Sequence, residues 1–492
     1  MSSFAAIQNR KSSTAAAARA NYQELLPRSS SRIGLKAGAF FALHAPLALL
    51  IRQSPNIGLV HAVVVLVGGV WWISAERKPE RAAYICAYIV GAEVLWRMTK
   101  TPLFWEFGKY AAIFVFLFAL LRQSRLKIPM LPIAYFALLL PSLLLTFSSL
   151  GFTESRMQSS FNLSGPLAIM MSAVYISQLR LTQEQQHRLL MVIVGPICGV
   201  ATIVLYNTLT KTAIVFNNSS NFETSGGFGP NQVSSILGLA ALITYIYLLD
   251  RKSSLSVKVL SIGLVFLFAT LSALTFSRNG LFLAGCSALA FSIVHFRNNR
   301  ARLKFAIVLI LLSAGTYYVI LPRLIDFTSG AIASRFEERS TTGRDTMVIA
   351  DLRVWWDHPF FGVGPGMARP YYDAVLGVGR SIPAHTEFSR LLSEHGIFGL
   401  VSMLLLLFMA LNNLKRAGDR QNKSLLIGLL VWSFLYMAAN AMRLMAPAFI
   451  YGITFARVLS ESSPNPRAYR TLFDNYQDKR LTAARSSTRF YR

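Results

Sequence analysis

Three side chains far apart in the sequence are of the types that could move a group off a phosphate ester. They are Arg278 in Thr275-Phe276-Ser277-Arg278-Asn279-Gly280, Arg344 in Thr341-Thr342-Gly343-Arg344, and His385 in Ala384-His385-Thr386-Glu387. A guanidinium offers a planar fork of donors matched to phosphate oxygens. An imidazole, with an ordinary pKa near ~6.5, can accept a proton at physiological pH. A fourth feature is Gly229-Pro230-Asn231-Gln232, where proline suits a first helical turn and free N–H groups favour an anion. Cations for a departing diphosphate and a base for an attacking hydroxyl are what such a transfer needs. Each feature also has a plainer reading. Arg278 can anchor at a membrane interface, Asn231-Gln232 can simply begin a helix, and a lone loop histidine is more often a surface residue. His358 and His395 compete with His385 as candidate bases. The chain shows no Asp/Glu cluster at metal-ligand spacing and no Gly-x-Ser-x-Gly elbow, so neither a metal nor a cofactor is expected.

The elements that must position these residues follow from composition. The chain of 492 residues is 53% hydrophobic and 14% charged, with a mean hydropathy of +0.45. Soluble chains carry about 25% charged residues. With apolar runs near span length, the deficit predicts a polytopic membrane protein. Backbone in hydrocarbon must satisfy its own hydrogen bonds, and the runs are too long for barrel strands, so the fold is expected to be all-α. Candidate spans cover roughly 34–51, 57–74, 82–96, 110–121, 128–148, 163–178, 189–206, 230–249, 258–276, 279–296, 305–320, 396–412, 424–440 and 444–459. About 12–14 transmembrane helices are expected, the last uncertain because it is short and contains Pro447.

Residues 1–33 are polar and basic without an apolar core, which is not a cleavable signal, so a cytoplasmic amino terminus is expected. Alternating the spans from there places Arg77-Lys78, Arg122/Arg125/Lys127, Arg251-Lys252, Arg297/Arg300/Arg302/Lys304 and Lys415-Arg416 inside, as the positive-inside rule requires. The formal net charge of +27 is then topology and attraction to anionic lipid; no nucleic-acid partner is expected. Glu93 and Arg97, one turn apart, read as an ion pair, and His44 and His61 as helix-packing residues. Cys86, Cys198 and Cys286 each lie in an apolar run and read as small core residues.

Five regions follow: a basic tail at 1–33, transmembrane helices over 34–320, an extracytoplasmic catalytic loop at 321–395, further helices over 396–459, and a basic tail at 460–492. Between Leu321 and Arg390 lie eight arginines and eight carboxylates, so this long outer segment is neutral overall. A loop of this length is commonly functional. Within it, Val348, Ile349, Leu352, Trp355 and Trp356 predict an amphipathic helix lying at the outer interface. Gly362-Val363-Gly364-Pro365-Gly366 lacks the Lys-Ser/Thr ending of a P-loop and predicts a sharp turn packed against a neighbour.

The order Ser277-Arg278, Gly343-Arg344, His358-Pro359-Phe360-Phe361-Gly362-Val363-Gly364, Ala384-His385-Thr386-Glu387 and Leu392-Ser393-Glu394-His395-Gly396-Ile397-Phe398-Gly399 resembles the O-antigen ligase/polymerase family of bacterial envelope proteins. The matching motifs span about a quarter of the chain. It departs at one point: many members carry His-Asn where this chain has His385-Thr386. The resemblance implies metal-independent transfer of a glycan from an undecaprenyl diphosphate carrier to an acceptor hydroxyl, on the outer face of the bacterial cytoplasmic (inner) membrane. It implies that Arg278 and Arg344 hold the diphosphate and His385 is the base; apart from the resemblance, Asn231 and Gln232 at their helix start, and Glu387, are the candidate substrate-binding residues. Within the family, the Gly229–Ser234 run and the basic ends favour polymerisation of a surface or exopolysaccharide. Ligation to lipid A core and glycosylation of protein remain alternatives, and envelope polysaccharide assembly proteins are possible partners. A lipid-linked saccharide flippase is the alternative from another class. It would be expected to show pseudo-repeated halves and ionisable or helix-breaking groups near the midplane, whereas no such repeat is seen and the polar groups gather at the outer face.

Overall fold

The computed structural model describes residues 30–459, apart from 77, 125, 212–213, 215, 217–218, 251–252, 297, 304–306, 308–316, 319–320, 338–343 and 377–385. Helices dominate. In chain order they are α1 (Ser30–Gln53), α2 (Pro55–Ala75), α3 (Glu80–Met98), α4 (Phe107–Leu121), α5 (Met130–Ala137), α6 (Leu143–Ser149) and α7 (Phe152–Ile176). A short strand, β1 (Arg180–Thr182), precedes α8 (Gln183–Thr210), α9 (Pro230–Leu249), α10 (Leu255–Leu274) and α11 (Asn279–His295). Then come α12 (Leu321–Phe327), α13 (Ala331–Glu337), α14 (Arg344–Asp357), α15 (Arg369–Leu376), α16 (Glu387–Arg416), α17 (Arg420–Ala439), α18 (Ala446–Ile453) and strand β2 (Arg457–Leu459). The protein is an all-α polytopic membrane protein; among the described residues its one sheet is the parallel pair β1–β2, with Leu181 opposite Val458.

Among the described residues, α2, α8, α9, α10, α16 and α17 are long and apolar enough to cross a membrane, and α4 and α11 are shorter apolar helices. The hydropathy pattern predicts more spans, and the differences have local causes. The run 128–148 is broken into α5 and α6 near Pro141, which cannot donate to the ladder. The run 444–459 yields only the eight-residue α18 before the chain turns into β2. The run 305–320 lies mostly outside the described residues. Helix α3 is of span length but carries Glu80, Arg81, Glu93 and Arg97, charges it accommodates by being buried inside the bundle. His44 and His61 both bond the Tyr88 hydroxyl, at 3.0 and 2.9 Å, within that packing.

Helix α9 sits at the centre of the bundle and packs against α10 and α11. Small residues let these backbones close up, as is usual where packing rather than hydrophobicity drives association. A Cβ added at Gly280 would lie 1.9 Å from the Ser234 carbonyl oxygen, so only glycine permits this crossing. By contrast, α2 turns Val60, Val63, Val64 and Val67 outward, the pattern of a helix facing lipid.

Candidate functional site

The turn bearing Arg278 is fastened to the start of α9 residue by residue. The Ser277 hydroxyl donates to Asn231 Oδ1 at 2.7 Å, the Ser234 hydroxyl to the Ser277 carbonyl at 2.9 Å, and the Asn279 amide to the Ser235 hydroxyl at 2.8 Å. Gly280 N–H donates to Ser234 Oγ at 3.0 Å. Just before this turn, Phe276 adopts a φ of 57°, unfavourable for a bulky residue. Its carbonyl accepts from the buried Arg335 Nε on α13 at 3.2 Å. Arg278 itself is half-buried at the N-cap of α11. Two of the sequence-predicted residues, Arg278 and Asn231, are therefore brought to one place.

Gln232 points the same way and meets a second network. Its side-chain oxygen accepts from Arg97 at 3.2 Å. Arg97 also pairs with Glu93 at 2.7 Å, donates to the Trp105 carbonyl at 2.7 Å, and reaches the carbonyl of Arg443 at 3.0 Å. The expected Glu93–Arg97 ion pair exists, but it also holds a distant segment. That segment, the strap from Asn440 to Met445 between α17 and α18, is gripped by its backbone from several sides. Met445 N–H donates to Glu93 at 2.7 Å, Met442 N–H to Glu387 at 3.0 Å, and Lys109 to the Met442 carbonyl at 2.9 Å. Lys109 is paired with Glu106. Glu387 and Glu394 flank Arg390 at 2.5 Å each. All of these charged groups except Arg97 belong to fully buried residues, where removing one member of a pair leaves an uncompensated charge.

The strap's own side chain, Arg443, is treated differently. Among the described residues its guanidinium has no hydrogen-bond or carboxylate partner, although the residue is half-buried. Burial and the neighbouring Arg369 and Arg390 charges both push its ionisation down from the usual arginine value. Arg443 and Ala441 line two adjoining cavities. One, of about 170 Å³, is bordered by Asn231, Gln232, Asn440 and Tyr436. The other, of about 250 Å³, is bordered by Gln158, Asn162, Arg369, Tyr372, Arg390 and Glu394. Arg369, at the start of α15, is exposed and has no ion pair among the described residues. The arrangement can hold a multiply charged anion between guanidinium groups.

Behind Tyr372 in the wall of the larger cavity lies a buried carboxylate. Asp351 on α14 accepts from the Tyr372 hydroxyl, from Ser389 at 2.5 Å and from Ser393 at 2.8 Å, tying α14, α15 and α16 together. Burial raises the Asp351 carboxyl above the usual range, while the three hydroxyl donors act the other way. The sequence pattern places Asp351 away from the apolar face of α14; the structure buries it with Met347, Ala350 and Val354. The predicted apolar face, with Ile349, Leu352 and Trp356, points outward, and Trp356 is 82% exposed. The glycine turn packs against a neighbour as expected. A Cβ at Gly362, whose φ is 67°, would lie 2.4 Å from the Glu394 backbone, and Val363 N–H donates to the Ser393 carbonyl at 3.0 Å. This contact falls where α16 kinks at Gly396, with φ 59° and ψ −135°.

Of the remaining predicted residues, Glu387 belongs to the strap network, with Arg390 and Met442 N–H as its partners. Arg344 begins α14, and its side chain lies outside the described residues, as does all of His385. Thr386, next in the chain, caps α16 by accepting from Ser389 N–H at 3.2 Å. Arg369 and Arg443 were not singled out by their sequence context; only the tertiary arrangement brings them to the cavities, and Asp351 to the hydroxyl of Tyr372 beside the larger one. Among the described residues no group of three His, Cys, Asp or Glu side chains has metal-holding geometry. No curated protein matches the chain. Residues 262–404, from α10 into α16, match the family model described as O-antigen ligase. That stretch contains Arg278, Arg344, His385 and Glu387, while Asn231, Gln232 and Arg443 lie outside it.

Proposed function

We propose that this chain, whose residues 262–404 match the family model described as O-antigen ligase, transfers a glycan from an undecaprenyl diphosphate carrier to an acceptor hydroxyl, most simply in polymerisation of surface polysaccharide or exopolysaccharide repeat units. The observation that carries this reading is the paired cavity at one end of the bundle. There Asn231 and Gln232, the neighbouring Arg278 turn, and Arg369 and Arg443 gather, the last two without a carboxylate partner among the described residues. In this reading Arg278 and Arg344 hold the diphosphate and stabilise its charge as it leaves. His385 takes the proton of the attacking hydroxyl as the new glycosidic bond forms and the bond to the diphosphate breaks. Asn231 orders the Arg278 turn, and Gln232 and Glu387 reach the substrate through the strap they support. The protein would work at the outer face of the bacterial inner membrane, with its amino terminus inside and no metal in the reaction.

The test is the glycan profile of cells lacking the chain, complemented with variants. Unpolymerised repeat units on the carrier support the polymerase, whereas an unmodified lipid A core would identify a ligase. His385→Ala should abolish transfer with membrane insertion intact; full activity would remove it from the base role. Arg344→Lys should be nearly as inactive as Arg344→Ala, because a point charge does not replace the fork. Activity should survive EDTA, and its loss with rescue by a divalent ion would overturn the metal-free mechanism.

A further inference from the structure

We propose that Arg443, presented by the Asn440–Met445 strap and faced by Arg369, is a binding residue for the diphosphate head of the lipid-linked substrate. This rests on the transfer reading above, but on residues outside the matched segment or without any role assigned to them. Glu93, Arg97, Lys109 and Glu387 direct their bonds to the strap's backbone N–H and carbonyl groups, not to its side chains. A rigid mount of this kind fixes a side chain's position without neutralising it. The guanidinium so mounted borders both cavities and, among the described residues, meets no carboxylate. In the larger cavity Arg390 is already engaged by Glu387 and Glu394, which leaves Arg369 and Arg443 as the lining cations that meet no carboxylate among the described residues. Two guanidinium forks bordering one cavity of about 250 Å³ suit a group with several anionic oxygens better than a monoanion. A neutral sugar would gain nothing from charge held there unpaired.

The full-length chain, purified in detergent, is titrated with undecaprenyl diphosphate and with inorganic diphosphate; undecaprenyl monophosphate is the comparison ligand. Arg443→Gln should weaken diphosphate binding about 10- to 100-fold, the value of a lost charged hydrogen bond. Arg443→Lys should recover only part of it, and the monophosphate should be affected less than the diphosphate. Unchanged diphosphate affinity in Arg443→Gln overturns the proposal. If that variant is not monodisperse, Arg369→Gln decides, since Arg369 is exposed: weakened binding supports the site and unchanged binding sinks it. The two readings fail separately. Intact binding in Arg443→Gln with transfer abolished by His385→Ala removes Arg443 alone. Weakened binding in Arg443→Gln, with an unaltered glycan profile in cells lacking the chain, keeps the anion site and removes the transfer reaction.

Discussion

The two ends of the same helices handle polar groups in opposite ways. At the end formed by the start of α8, the finish of α9 and the start of α17, polar side chains close on one another. His187 meets Asp250 at 3.2 Å, Gln183 meets Asp419 at 3.0 Å, and Arg420 donates to the Phe296 carbonyl at 2.7 Å. The cavity left there is about 20 Å³, room for roughly one water. At the other end, where α9 and α11 begin and α17 finishes, buried charges are more numerous yet the volume is far larger. The difference lies in what is left over. At the closed end polar side chains bond one another and nearby carbonyls and almost no space remains; at the open end the buried ion pairs also grip the strap's backbone, and among the described residues Arg369 and Arg443 border the cavities without a carboxylate partner.

That contrast breaks most visibly if the strap loses its grip. Glu387→Ala removes the acceptor of Met442 N–H and one of the two carboxylates that compensate Arg390. Deleting one partner of a buried pair costs about 3–5 kcal/mol. A large drop in thermal unfolding temperature, together with loss of glycan transfer, is expected. A stable but inactive Glu387→Ala protein would show instead that the carboxylate acts on substrate and not through the strap.

Gly280→Ala tests the other support. Its new Cβ would collide with the Ser234 carbonyl, forcing α11 away from α9 and shifting the turn that carries Arg278. Overpacking of this kind costs about 1–3 kcal/mol. Transfer should fall more than stability does, measured as activity against the unfolding midpoint of the same sample; equal activity would detach Arg278 from the reaction.

How far the site was legible in the sequence follows the range of the interactions that make it. Arg278 stands out because its turn joins two apolar runs, and Asn231-Gln232 because proline precedes them; both signals are local. The i,i+4 spacing of Glu93 and Arg97 discloses their pairing, but not that the pair also reaches Met445 and Arg443 some 350 positions later. Arg443 sits in what hydropathy reads as the margin of the short last run, and that no described carboxylate meets it is evident only once the strap is folded. Asp351 fails for a related reason. A carboxylate on an amphipathic helix is assigned to the wet face, unless one knows that Tyr372, Ser389 and Ser393 will surround it. The all-α membrane architecture is legible throughout, since it depends on run length and charge deficit alone.

Asp351 also gives the open end a pH dependence that the closed end need not share. Its folded-state pKa is raised by burial above the unfolded carboxylate value of about 3.9. As pH rises through that interval the unfolded chain releases a proton that the folded chain still holds, so Asp351 makes stability fall with rising pH. Asp351→Asn removes the titration while keeping an acceptor for the hydroxyls. Unfolding midpoints measured across the mildly acidic range should therefore decline less steeply in the variant than in the parent. An identical slope in both would mean that the surrounding hydroxyl donors, not burial, set the behaviour of this carboxylate.

The smallest effect belongs to the closed end and is the control on which the comparison rests. His187→Ala deletes one side of the His187–Asp250 contact, where the histidine is partly exposed and Asp250 also meets Gln421. A partly exposed pair is worth about 1 kcal/mol or less. The unfolding midpoint should move little, and diphosphate binding and glycan transfer should be unchanged. The reason is geometric: α8, α9 and α17 run from this contact toward the cavities, so a perturbation here reaches them only by displacing whole helices. A His187→Ala protein that is stable yet fails in transfer would show that the two ends communicate, and the division between a sealing end and a working end would have to be given up.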